Sequence, residues 1–146
     1  MPKAYDPRMH SAEHILNQTM VRMFNCGRSF EAHIEKDKSR CYYHLGRPLT
    51  DAEVRDIENR VNEVISRDLE VTEEFMSREE AGRHFNLRRV PDDTGETLRI
   101  VRIGDYDACP CIGPHVTHTG EIGKFKLYST SYEGGVLKLR FKLLQR

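Results

Sequence analysis

The segment KFKLYSTSYEGGVLKLRFKLL, residues 124–144, alternates apolar and charged residues on both sides of Glu133-Gly134-Gly135. A period of two sends successive side chains to opposite faces of a strand, and a Gly-Gly pair suits a tight hairpin. In the second half, Leu137, Leu139, Phe141 and Leu143 take one face, and Lys138, Arg140 and Lys142 take the other. A sheet with one apolar face needs a cover. Two amphipathic helices are available to supply it. The first starts at Asp6-Pro7, a capping acid followed by a proline suited to the first turn. Met9, Ala12, Leu16, Met20, Met23 and Phe24 then recur at helical spacing, up to the stop signal Asn25-Cys26-Gly27. The second is PLTDAEVRDIENRVNEVISRD, residues 48–68. Thr50 and Glu53 form a capping box there, and Val54, Ile57, Val61, Val64 and Ile65 form one stripe. SFEAHI and RCYYHL read as two strands, LEVTEEFM as a third, SREEAGRH as a short helix and TLRIVRIG as a further strand. RVPDDTGE reads as a loop. The expected class is α+β, a single domain over residues 1–146 with helices packed on a mostly antiparallel sheet.

Composition narrows the class of partner. The chain has 146 residues, 38% hydrophobic and 32% charged, which suits one globular domain with a proper core. Lys+Arg and Asp+Glu are each 23, for a formal net charge of zero. A nucleic-acid partner would therefore use a local basic face rather than a whole-protein field. Such a face is offered by Lys124, Lys126, Lys138, Arg140 and Lys142, with Arg88 and Arg89; spacing alone equally allows a charged face turned to water. The longest apolar runs are too short to span a membrane, and the N-terminus has no signal-peptide core, so the expected location is cytoplasmic. In that setting Cys26, Cys41, Cys109 and Cys111 are expected as thiols or ligands rather than disulfides.

Two short-spaced pairs carry the chemistry. His10 and His14 lie four apart on the first helix, and so on one face; Cys111 and His115 lie four apart in a Gly/Pro-punctuated segment near the other end. Zinc accepts nitrogen and sulfur donors in a tetrahedron, and His₃Cys is an acceptable set. Pairing within each segment leaves one long loop to close. The alternative is two surface imidazoles and a small buried thiol. Glu13 also makes the first motif H-x-x-E-H, the signature of a family of zinc peptidases, which would need a further carboxylate ligand. On spacing, Glu13 is expected in water. Cys109 is expected to point away from Cys111, and His118 to be exposed.

HSAEHIL together with CIGPHVTHTGEIGKFKL resembles the paired motifs of aminoacyl-tRNA editing domains. These occur in alanyl- and threonyl-tRNA synthetases and in stand-alone alanyl-tRNA editing proteins of the AlaX type. The stretch YYHLGRPLTDAEVRDIENRVNEVISRDLEVTEEFMSREEA is similar to the segment joining the motifs in those families. With no room for an aminoacylation core, the chain looks like a free-standing editing factor.

The resemblance implies a threonyl/alanyl editing-domain fold, a tRNA partner, and hydrolysis of a mischarged aminoacyl ester. His10, His14, Cys111 and His115 would be both the catalytic residues and the zinc ligands, and the basic face would take the acceptor end. The alanine type usually reads C-G-G-T-H, where this chain reads Cys111-Ile112-Gly113-Pro114-His115. That ending, with Ser11, resembles the threonyl type, which implies Ser-tRNA(Thr) and a metal-independent histidine mechanism. TGEIG, residues 119–123, resembles the alanine type, which implies Ser-tRNA(Ala) or Gly-tRNA(Ala). A zinc-containing RNA-binding module without catalysis is a further reading. Serine fits both versions, because a small pocket discriminates weakly against an added hydroxyl or a lost methyl.

Overall fold

A computed structural model describes residues 6–87, 90 and 95–144 of the chain. Arg88, Arg89 and most of the RVPDDTGE loop lie outside the described residues. The order of elements is α1 (Pro7–Phe24), β1 (Glu31–Ile34), β2 (Lys38–His44), α2 (Asp51–Ser66), β3 (Val71–Ser77), α3 (Arg78–His84), β4 (Thr97–Ile103), β5 (Asp107–Pro110), β6 (Lys124–Glu133) and β7 (Val136–Leu144). A 3₁₀ turn, Thr119–Ile122, precedes β6. The α+β class holds, but the strands divide into two antiparallel sheets, one ordered β1-β2-β7-β6 and one β3-β4-β5. β5 is a strand that periodicity did not reveal. Four residues are too few for alternation to register, and two of them are Cys109 and Pro110.

The helix starts form as their caps dictate. Asp6 Oδ1 accepts from the Arg8 and Met9 N–H groups at 2.8 and 3.3 Å. Thr50 and Glu53 close a reciprocal capping box at 2.9 and 3.1 Å. The hairpin turn places Gly134 and Gly135 at φ 57° and 83°, a left-handed pair that glycine adopts without steric cost.

Packing follows the two apolar faces. Register pairs Cys41 with Leu139, Tyr43 with Leu137 and Leu127 with Phe141. All six lie on the inner face of the four-stranded sheet and are buried with Met9, Leu16 and Met20 of α1 and Ile57, Val61 and Val64 of α2. A smaller cluster of Ala81, Leu98 and Ile100 fixes α3 on the three-stranded sheet.

The segment between β5 and β6 crosses from one sheet to the other and is tied down at several points. Arg8 donates twice to the Ile122 carbonyl, at 3.0 and 2.8 Å. Val71 N–H donates to Thr117 O, and Thr119 N–H to Leu69 O, both at 2.9 Å. The Thr119 hydroxyl accepts from Leu69 N–H at 2.8 Å and donates toward the carbonyls of Val64 and Ile65 at the end of α2. Thr119 is fully buried, so these groups have no water to fall back on. Thr119→Val keeps the shape and removes the hydroxyl. It is expected to destabilise the protein by about 1–3 kcal/mol, read as a lower urea midpoint at unchanged slope.

Candidate active site

α1 presents His10 and His14 from successive turns to the segment following β5. One ligand atom each from His10, His14, Cys111 and His115 lie within 4.8 Å of one another. The His10 and His115 rings stack, with centroids 4.2 Å apart, and His14 meets both edge-on at 4.9 and 4.5 Å. Cys111 Sγ is 3.3 Å from His10 Nε2. The two short-spaced pairs therefore converge, which the alternative of two surface imidazoles and a separate thiol does not allow.

Each ring is oriented from behind. His10 Nδ1 lies 3.0 Å from the Pro114 carbonyl. A carbonyl only accepts, so that nitrogen carries a proton, and in the neutral ring Nε2 turns a lone pair to the cluster. His115 Nδ1 lies 2.9 Å from Ser11 Oγ, which also accepts from Val116 N–H at 3.2 Å. His115 Nε2 is buried and has no hydrogen-bond partner among the described residues. His14 Nδ1 lies 3.6 Å from Asp107 Oδ2. Asp107 is itself held by Arg28, at 2.6 and 3.3 Å, and by Gln18 at 3.2 Å. The loop bearing Cys111 is fixed by Arg99, whose Nη1 donates to the carbonyls of Cys111 and Gly113 at 3.1 and 2.8 Å.

The electrostatics follow from this packing. Burial pushes the Cys111 thiol up, but the surrounding imidazoles of His10, His115 and His14 outweigh it and hold the thiol at about 3. Burial and the neighbouring imidazoles bring His115 down to about 4, against the pull of Cys111. His14 lies well above the ordinary histidine value: burial opposes its charge, but Asp107 and Cys111 favour it more strongly. Burial also raises Asp107, and His14 with Arg28 more than reverse that. A thiolate and a neutral imidazole are the forms in which Cys111 and His115 bind a soft cation. With an unpartnered buried nitrogen on His115, the donor set fits zinc.

Glu13 is not in water. It is 6% exposed, accepts from Asn17 Nδ2 at 2.6 Å and lies 3.4 Å from the Ser29 hydroxyl. Asn17 also takes the Tyr43 hydroxyl at 2.6 Å, so Glu13 belongs to a buried network beneath α1. Helical spacing could not show this, because that side of α1 packs on the sheet. The Cys109 thiol turns to its neighbour's carbonyl, and His118 is exposed. All four cysteines are free thiols. Lys124, Lys126, Lys138, Arg140 and Lys142 are not brought to the cluster. They lie on the outer face of the four-stranded sheet, away from α1. Sequence reasoning missed Arg28, Arg99 and Asp107 as site supports. Only Asp107, four residues before Cys111, carried a positional hint.

An α+β fold in which an H-x₃-H helix closes on a C-x₃-H loop defines a narrow class. Residues 98–138 match the family model described as the threonyl and alanyl tRNA synthetase second additional domain. The alanine--tRNA ligase of Methanopyrus kandleri is 31% identical over 142 residues, 92% of this chain and 15% of the relative. That of Fervidobacterium nodosum is 34% identical over 125 residues, 85% of this chain and 14% of the relative. That of Methanothrix thermoacetophila is 34% identical over 140 residues, 92% and 15% respectively. The chain thus spans about a seventh of the length of these curated relatives. The chain is similar to alanine--tRNA ligases over most of its length, and residues 98–138 carry the domain that threonyl and alanyl tRNA synthetases share. Among the described residues no helix is long and apolar enough to cross a membrane.

Asp107→Asn is expected to cost about 3 kcal/mol, because it leaves Arg28 without its charge partner in a buried site. The folded-state pKa of Asp107 lies below its unfolded value. Its contribution is therefore complete above the unfolded carboxylate range and is lost as pH falls through the folded value. Urea titrations should show the gap between wild type and Asp107→Asn narrowing below about pH 4.

Proposed function

We propose that this chain hydrolyses the ester linking a wrong amino acid to tRNA, acting in trans like the AlaX-type proteins, with Ser-tRNA(Ala) as its substrate. The observation that carries the reading is the convergence of four donor atoms within 4.8 Å on a scaffold shared with alanine--tRNA ligases. Serine is alanine plus a hydroxyl, an addition that a small apolar pocket rejects weakly, so a second site that destroys the product is needed.

His10, His14, Cys111 and His115 would hold a zinc ion. With all four positions filled by protein, it would supply Lewis acidity toward the ester or a water only where one ligand is released or the coordination expands. The chain's own residues do the rest. Pro114 and Ser11 hold the rings of His10 and His115 by hydrogen bonds, and Asp107 faces His14 as a charge partner at 3.6 Å. A depression of about 140 Å³ beside His115 offers the walls of Val71, Val101 and Val116 with Glu73 and Thr117 at hand. Its size suits a single small amino acid; Glu73 there is paired with Arg99, which lines the same depression. With its pKa at about 4, His115 is a weak general base near neutrality.

A second reading is Ser-tRNA(Thr). Two of its markers have jobs at the site: Ser11 bonds His115, and the Pro114 carbonyl bonds His10.

Incubation of the zinc-loaded protein with Ser-tRNA(Ala), Ser-tRNA(Thr), Gly-tRNA(Ala) and correctly charged Ala-tRNA(Ala) tests the proposal. Ser-tRNA(Ala) is expected to deacylate fastest, and a chelator to slow it. His10→Ala is expected to lose at least the roughly 100-fold that removing an outer-shell partner can reach. Full activity in His10→Ala, or stability of every mischarged tRNA, would falsify the assignment.

A further inference from the structure

The outer face of the four-stranded sheet carries a charge pattern that folding alone does not explain. Register sets Lys38 directly opposite Lys142, and Arg40 directly opposite Arg140. Like charges facing across strands destabilise a sheet. Among the described residues none of these four makes an ion pair with a carboxylate. Lys126, also opposite Lys142, has Glu58 at 3.7 Å. In a chain of zero formal charge, such crowding means that acids are gathered elsewhere, as Asp51, Glu53, Asp56 and Glu63 are on α2.

Aromatic rings are interleaved with the cations. Lys138 lies over the Tyr42 ring at 5.9 Å and Lys142 over the Tyr128 ring at 5.6 Å. The Arg40 guanidinium donates to the Tyr42 hydroxyl at 3.1 Å. Phe30, 39% exposed, stacks flat on His44 with centroids 4.0 Å apart. A depression of about 290 Å³ opens on this face between His33, Lys38, Arg40, Tyr128 and Arg140, with Glu35 on its rim. Along β7 the charges at Lys138, Arg140 and Lys142 repeat every second residue, about 6.8 Å apart. That step is close to the separation of successive phosphates along one nucleic-acid strand.

We infer that this face is an RNA-binding surface that holds the phosphate backbone of tRNA away from its aminoacylated end. Bound phosphates would relieve the cross-strand repulsion, and the aromatic rings offer stacking that a lipid headgroup layer does not use. The face points away from α1, whereas the histidines and Cys111 meet on the three-stranded side of that helix. It therefore serves a different part of the tRNA than the ester. The inference rests on the reading of the chain as a tRNA-directed protein, but not on its hydrolysis.

The test uses uncharged tRNA and the full chain, with binding read by fluorescence anisotropy across a salt series. The variant combines Arg40→Gln, Arg140→Gln and Lys142→Gln. Affinity is expected to fall at least about tenfold, and the salt dependence to become shallower by about 2 to 3 in log–log slope. The melting temperature should not fall, because the variant removes repulsion rather than packing; that also establishes that it folds. Unchanged affinity and slope would overturn the inference. So would loss of binding to phosphatidylserine vesicles with tRNA binding intact. Wild-type protein that binds tRNA through this face but hydrolyses no mischarged tRNA would sink the deacylase reading and leave this one standing.

Discussion

A helix that buries polar side chains on two flanks must find a partner for each of them, and the architecture around α1 answers that demand. His10, Glu13, His14 and Asn17 are all at most 6% exposed. Each would forfeit hydration unless paired, at a cost comparable to losing a hydrogen bond or more. On the sheet flank, Glu13, Asn17, Tyr43 and Ser29 satisfy one another. On the other flank, β5 brings a buried carboxylate, and the segment following it brings a thiol, an imidazole and a carbonyl. The apolar residues between these flanks seal α1 to the sheet and to α2. Without the second sheet, His14 would have no carboxylate and Cys111 no position.

That second flank is organised around opposite charges at short range. Arg28 fixes Asp107, Asp107 faces His14, and His14 with its neighbours holds Cys111 as a thiolate. The chain of influence runs from a partly exposed guanidinium to a half-buried sulfur through two side chains, Asp107 and His14, on two different segments. Low local dielectric strengthens each link and makes a missing link costly. The same arrangement keeps His115 neutral, so Cys111 and His115 carry the protonation states of ligands, whereas His14 must give up its proton to bind a cation. Preorganisation of this kind lowers the reorganisation needed when a cation binds.

The Asp107→Asn titration probes a feature that the sequence hid, and its invisibility is instructive. The helices, their caps and the Gly134-Gly135 hairpin were legible because each is encoded within a few residues: Asp6 caps its own helix, and Thr50 pairs with Glu53. The four-residue cluster was legible because each half has helical or turn spacing. The supports were not. Arg28 and Asp107 are 79 positions apart and meet only because β5 is laid beside α1. Glu13 read as solvated because one helix shows its own periodicity but not what covers each flank. The split into two sheets was hidden for a similar reason. β3 to β5 and the longer sheet share strand-like patterns, and only the long-range pairing of β2 with β7 separates them.

The placement of charge separates recognition from chemistry. A cleft that reads tRNA phosphates and a pocket that holds a thiolate make opposing demands. Phosphate binding calls for exposed, mobile cations, and the ligand cluster calls for burial and fixed orientation. Placing Arg40, Arg140 and Lys142 beside the cluster would lower the local potential barrier to anions, but those cations would pair with the Cys111 thiolate and disturb the donor set. The fold avoids that conflict by using both faces of one sheet. The inner face packs the helix that carries His10 and His14, and the outer face gathers repelling cations at a modest cost of roughly 0.2–1 kcal/mol per opposed pair. A sheet buried on one side tolerates that cost, because the alternating strand β7 contributes Leu137, Leu139 and Phe141 to the core from the same residues' neighbours.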